Sequence, residues 1–373
     1  MTPVRVLFVN EGPLGPGAMG HPRVEEALRA GLGDRSDIDA DFVSLKPMSW
    51  VGRLLVSGVP LLSRVDADFQ QQRWHLTQAA RARRFIRREV ARARPDVVHV
   101  HSHSIALGID TTLRRIPAVL SVDATVHEWQ TMSVWRAPRE HTGGMVRLSE
   151  RLEHRVFADA AIVQAWTAWA RDGVAASCPS ANIVELHPGI NLDDFHPAPR
   201  VERRRPRVLF VGGRFKQKGG FDLLDALGPD LGRTVDLDVV TPSDVPSRPG
   251  VTIHRLPPGD DRLRGLFQQA DVLCLPTRGD AVPWVVIEAM ACGTPVVATD
   301  VGGIADLLDG GRAGILTPPR DVDALRTALR SLLADDAHRD ALATVARRRV
   351  EEHYDARLQT DKLLKAFASV GLT

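Results

Sequence analysis

Short apolar runs alternate with longer helix-like segments along the whole chain, and the alternation breaks once. Val4–Asn10 (VRVLFVN), Asp96–His101, Ala118–Asp123 and Ala160–Gln164 read as buried strands, with helical stretches such as Arg23–Leu32 and Leu76–Ala93 between them. Unbroken apolar runs separated by helices are what a parallel sheet covered on both faces requires. The break is His196–Arg207 (HPAPRVERRRPR), rich in proline and charge with almost nothing to bury, and it reads as a linker. The pattern then restarts. Strands are expected at Val208–Gly212, Asp236–Val240, Val251–His254, Asp271–Pro276 and Pro295–Ala298, and helices near Phe221–Leu227, Leu263–Gln269, Val285–Cys292, Val322–Leu333 and Asp336–His353. The expected fold class is α/β: two Rossmann-like, doubly wound parallel-sheet domains, 1–197 and 198–354, facing across a cleft. Ligands bind at the carboxyl ends of such sheets.

Composition excludes several classes. Net charge is only +2 over 373 residues, which gives no electrostatic case for nucleic acid. Cys178, Cys274 and Cys292 are far apart with no CxxC pair, so small buried thiols are expected rather than zinc or a disulfide framework. The opening MTPVRVLFVNEG enters a strand pattern directly, without the apolar core and cleavage site of a signal peptide. No apolar run approaches the ~20 residues of a membrane-spanning helix. The expected location is cytoplasmic. Of the 48 basic residues only five are lysine (Lys46, Lys216, Lys218, Lys362 and Lys365), so a lysine in this arginine-biased chain carries information, and two share one short loop.

The densest site signal is Thr277–Gly303, TRGDAVPWVVIEAMACGTPVVATDVGG. A strand ends at Pro276, a loop carries Asp280, and a helix opens near Pro283, expected as its first residue. A helix start offers unpaired N–H groups and partial positive charge to a phosphate, here from the amides of Trp284 and Val285. Glu288 interrupts an otherwise apolar helix, VVIEAMACG, where a carboxylate without a task is unusual.

This segment resembles the signature of glycosyltransferase family 4, whose members have the GT-B fold. An acidic residue is followed after seven others by Glu, then Ala-Met-Ala-x-Gly-x-Pro-Val-Val; Glu288, Ala289, Met290, Ala291, Gly293, Pro295, Val296 and Val297 stand in that register. The resemblance covers essentially the C-terminal half. It implies that Glu288 binds the nucleotide ribose and that Asp280 contacts the transferred sugar. The chain departs from the pattern twice: Asp280 stands where the family usually has Glu, and Pro283, which has no N–H, where it usually has Gly. The loop Val211–Asp222 (VGGRFKQKGGFD) resembles the family's phosphate-gripping loop, which makes Gly213, Arg214 and Lys218 the candidates for the diphosphate, with Lys216 a third cation. Arg255 is a further donor-binding candidate. Gly189 and Asn191, within ELHPGINLDDF, match the family's strand-to-linker segment, though a tight turn accounts for them equally well.

The N-terminal half points less sharply. Glu11–His21 is glycine-rich, and its Gly15 and Gly17 are candidate contacts for donor or acceptor, although the loop is not in GxGxxG register. His99, His101 and His103 alternate on a strand, but no metal is expected there. Asp123 stands where many family members carry a histidine that touches the donor sugar; it or His127 is the expected sugar or acceptor contact, with Trp129 and Trp135 in the same loop. Trp50–Leu62 (WVGRLLVSGVPLL) lies just ahead of an arginine-rich helix around Arg73–Arg94. Contact with an anionic membrane surface is one reading; a buried loop beside a solvated helix is the preferred one.

The resemblance thus implies a retaining transferase that moves a sugar from a nucleoside-diphosphate sugar (UDP first, GDP or ADP as alternatives) to a small-molecule, glycan or lipid-linked acceptor, with neither a cofactor nor a metal at the diphosphate. Residues 1–197 would bind acceptor, residues 198–354 the donor, and 355–373 would form a helix crossing back to the first domain. Two alternatives accompany this reading: an epimerase or phosphorylase on the same fold, and a non-catalytic nucleotide-sugar-binding subunit.

Overall fold

The structure, a computed structural model, describes residues 3–12, 20–57, 70–107, 115–132, 143–199, 201–257 and 259–369. It divides into two compact units. One comprises Met1–Pro16, His21–Pro188 and Gln359–Thr373, and the body of the other is Gly189–Leu358. The proline-rich segment lies along the second unit: the Gln268 and Gln269 side-chain amides donate to the carbonyls of His196 and Pro199, and Arg203 donates to the Gln269 carbonyl.

In the first unit, in chain order, come β1 (Val4–Asn10), α1 (Gly20–Leu32), β2 (Ile38–Ser44), α2 (Trp50–Leu55), α3 (Gln70–Ala93), β3 (Val97–His101), α4 (His103–Ala106), β4 (Ala118–Val122), α5 (Val126–Thr131), α6 (Gly143–Asp159), β5 (Ile162–Ala165), α7 (Ala168–Ser177) and β6 (Ile183–Glu185). All paired strands are parallel, in the order β2-β1-β3-β4-β5-β6. The core is aliphatic, with Leu7, Val9, Val98, Val100, Leu120, Val122 and Val163 from the strands and Ala82, Ile86 and Phe157 from the helices. Helix α3 buries His75, Gln78, Ala79, Ala82 and Ile86, a single stripe at helical spacing, and turns its arginines elsewhere.

The second unit contains β7 (Arg207–Val211), α8 (Gly220–Leu227), β8 (Asp236–Val240), β9 (Val251–His254), α9 (Asp261–Gln269), β10 (Val272–Leu275), α10 (Trp284–Ala291), β11 (Val296–Thr299), α11 (Ile304–Leu307), β12 (Ile315–Thr317), α12 (Val322–Ala334) and α13 (Asp336–His353). Its parallel order is β12-β11-β10-β7-β8-β9. A last helix, α14 (Ala356–Ser369), begins in this unit, and from Gln359 onward it groups with the first. The three cysteines are free and buried.

The apolar-run reading passes over β2, β6 and β12. Each lies at a sheet edge and is only half buried, so none needs the apolar character of an inner strand. Two local expectations are corrected. Pro283 is the N-cap of α10, with extended backbone, rather than its first helical residue. Trp50–Leu55 is a helix capped by the Ser49 side chain, with none of its residues buried, rather than a buried loop; residues 58–62 of that segment lie outside the described residues. Among the described residues no helix is long and apolar enough to cross a membrane.

Candidate functional site

Each sheet reverses its strand order once, and loops leaving adjacent strands in opposite directions open a crevice there. In the second unit the reversal lies between β7 and β10. The loop after β7 is the Arg-Lys segment, and the loop after β10 carries Asp280.

The first loop is tightly built. The Gly212 amide donates to the Val240 carbonyl, the Phe215 amide to the Ser243 hydroxyl, and that hydroxyl to the Gly213 carbonyl. The chain then coils, with the Lys218 amide bonded to the Arg214 carbonyl at 2.9 Å and the Gly220 amide to the Phe215 carbonyl at 2.8 Å. Gly219, the N-cap of α8, has φ +78°, and a Cβ there would stand 1.8 Å from the Pro276 carbonyl oxygen. Only glycine fits, so the two loops are pressed together at this point.

Contact between the loops brings distant side chains together. The Lys218 ammonium pairs with the Asp280 carboxylate, both largely shielded from solvent. Arg278 makes a two-pronged pair with Asp222 at 2.6 and 3.0 Å, and its amide donates to the Gln217 carbonyl. Sequence reasoning missed this pair; the signal was the arginine two residues ahead of Asp280. Arg214 and Lys216 are exposed on the same loop. Helix α10 follows within four residues of Asp280. Trp284 and Val285 open its first turn, and the Val286 amide is taken by the Pro283 carbonyl. Glu288 is buried inside α10, not solvated, and its charge helps burial push the Cys292 thiol up to about 12. Gly302, at φ +57°, packs its Cα against the Asp280 carbonyl, where a Cβ would come within 2.0 Å. Arg255 stands next to this loop: it donates to the carbonyls of Thr241 and Ser243 and to the Asp244 carboxylate, and Ser243 is the residue whose hydroxyl holds Gly213 and Phe215. Gly189 and Asn191 shape the turn they stand in: a Cβ on Gly189 would meet Ala356, and the Asn191 side chain bonds Asp193 and Asp194.

The first unit reverses between β1 and β3. Glu11 leaves β1 almost wholly buried, bonded to Ser102 and Gln78 and close to Asp123. Burial and the Asp123 charge push its carboxyl up to about 7. Ser102 follows β3 at φ +87°, a conformation serine adopts only where its surroundings impose it. Beyond β4, Glu128 and Thr125 form a capping box on α5, and burial raises Glu128 to about 7 as well. The structure therefore gathers Asp123 with Glu11 and Ser102, which sequence reasoning had not singled out. His127 is exposed and faces Glu150 at 3.4 Å. His99 bonds Gln164 at 2.8 Å and burial holds it down near 4, while His101 stacks on Trp166. Among the described residues no cluster of metal-ligating side chains occurs. Gly15, Gly17 and Trp135 lie outside the described residues.

Two family models match the chain: "Glycosyltransferase Family 4" over residues 43–194 and "Glycosyl transferases group 1" over residues 205–335. A sulfoquinovosyl transferase of Arabidopsis thaliana is 28% identical over 311 residues, 74% of this chain and 57% of that protein. The α-maltose-1-phosphate synthase of Mycolicibacterium smegmatis is 27% identical over 73% of this chain and 79% of its own length. The chain thus spans little more than half of the plant relative. Among solved structures, a sucrose-phosphate synthase from Thermosynechococcus elongatus matches with a TM-score of 0.75 at 18% identity, covering 98% of this chain and 99% of that one. The Anabaena protein HepE in complex with UDP matches at 0.68 and 14% identity, over 98% of this chain and all of that one. With two parallel six-stranded sheets and the two family models matching successive parts of the sequence, the chain belongs to the GT-B glycosyltransferases of family-4 type.

Proposed function

We propose that this protein is a retaining glycosyltransferase that works in the cytoplasm, taking a sugar from a nucleoside-diphosphate sugar, UDP first, and passing it to an acceptor hydroxyl held by the N-terminal unit. The observation that carries this is the Lys218–Asp280 pair, set between two loops at a strand-order reversal, one helical cap away from α10. When donor binds, Lys218 turns from Asp280 to the diphosphate beside Arg214, and the α10 amides share that charge. Asp280, so released, accepts bonds from the sugar hydroxyls. As the bond between the sugar carbon and the leaving phosphate breaks, these cations stabilise the negative charge that grows there. The acceptor oxygen attacks from the same face, and its proton passes to the leaving phosphate, so the anomeric configuration is retained. Glu288 holds the ribose from inside α10, and no metal is needed at the diphosphate.

Calorimetry with UDP, GDP, ADP and TDP in the presence of a chelator tests the donor half. A reading with no nucleoside diphosphate bound overturns it. Lys218→Ala should weaken diphosphate binding about tenfold or more, the loss of one charge-assisted hydrogen bond, and Lys216→Ala much less. Equal losses overturn the loop assignment. The configuration of the product, read by NMR, tests retention.

A further inference from the structure

We propose that the outer face formed by residues 45–57 and α3 docks onto an anionic phospholipid bilayer, an interaction that goes beyond sugar transfer and does not rest on it. Of the nine large apolar side chains exposed among the described residues, five are gathered here: Trp50, Val51, Leu54, Leu55 and Leu76. Trp50, Leu54 and Leu55 are 71%, 67% and 61% exposed, and no residue of α2 is buried, so this helix contributes nothing to the core. It is nevertheless held firmly, because the Arg73 guanidinium bonds the carbonyls of Leu55 and Ser57. A second arginine, Arg81, bonds the Lys46 carbonyl at the other end of the segment.

Past the second tie an open groove of about 910 Å³ runs along α3 beside Leu45 and Lys46, with Leu76 and Phe85 among its apolar walls and Lys46, Arg84 and Arg88 along it. No carboxylate pairs with Lys46, Arg53, Arg84 or Arg88 among the described residues, and the groove's one acidic residue, Glu89, is neutralised by Arg92 at 2.7 Å. The local positive charge is a feature of this face, since the chain as a whole carries only +2. Exposed tryptophan and leucine beside uncompensated cations match the two layers of an anionic bilayer surface: the rings and leucines enter at the headgroup level while the long basic side chains reach the lipid phosphates. A protein partner of ordinary composition would answer the apolar residues but leave the row of cations without matching charge.

The full chain should co-sediment with vesicles of equimolar phosphatidylcholine and phosphatidylglycerol, stay in solution with pure phosphatidylcholine vesicles, and be released by high salt. Leu54→Asp with Leu55→Asp, and separately Arg84→Glu with Arg88→Glu, should each reduce binding about tenfold or more while the thermal melting of the protein is unchanged. Equal sedimentation with both vesicle types overturns the proposal, as does wild-type binding by either double variant. A lipid-free dimer in analytical ultracentrifugation that Leu54→Asp with Leu55→Asp dissolves also overturns it, and assigns the face to a second copy of the chain.

Discussion

The two sheets open the same kind of crevice and furnish it with opposite chemistry. At the reversal in the C-terminal unit, cations and carboxylates arrive in matched pairs, Lys218 with Asp280 and Arg278 with Asp222. In the N-terminal unit the described partners of Glu11 are a hydroxyl, an amide and the like charge of Asp123, and its carboxyl rises to about 7. Topology makes the opening, and loop residues decide what it can hold. Paired charges can exchange partners for an incoming phosphate at modest cost, because the desolvation has already been met in folding. A carboxyl raised in this way suits the neutral, hydroxyl-bearing groups that it can both donate to and accept from.

The contrast is most easily broken at Gly219. Gly219→Ala forces a left-handed alanine against the Pro276 carbonyl, so it should destabilise the C-terminal unit by about 2–4 kcal/mol in urea unfolding and abolish nucleotide binding. Unchanged stability would mean that the two loops are not tightly apposed.

Glu11→Gln probes the other crevice. The carboxyl's folded pKa, about 7, lies above its ordinary 4.5, so the native state holds the proton more tightly. Its burial therefore costs little at pH 4, costs more as pH rises from 4.5 to 7, and levels off above that. The amide variant should be more stable than the parent at pH 8, by up to about 3 kcal/mol, with the gap closing at pH 4. A gap that stays constant across this range would show that the carboxyl titrates normally.

Arg278→Ala leaves the largely shielded Asp222 without its partner and should cost about 1–3 kcal/mol. Nucleotide binding should fall with it if the pair keeps the two loops in register, and this is measured by calorimetry on the same sample. The smallest effect is expected for Arg255→Ala. Its guanidinium serves the loop after β8 and an exposed carboxylate, so stability should change by about 1 kcal/mol or less. A large loss of nucleotide binding would show that Arg255 touches the donor directly.

What the sequence determined by itself was the α/β architecture and the inner strands, because a strand buried on both faces must be an apolar run, and that leaves a local mark. It determined the donor-loop candidates as well, since glycines, lone lysines and a carboxylate in an apolar helix are local anomalies. The edge strands β2, β6 and β12 left fainter marks because they are only half buried. Tertiary structure alone decided which anomalies meet. Lys218 and Asp280 are 62 residues apart, Arg278 and Asp222 56 apart, and their pairing depends on β7 and β10 lying side by side. Tertiary structure also separated two apolar segments that read alike: VVIEAMA is buried in α10, while WVGRLL is left facing outward. Hydrophobicity states that a residue prefers burial; whether a sheet, another helix or nothing in the chain lies over it is settled only when distant elements pack.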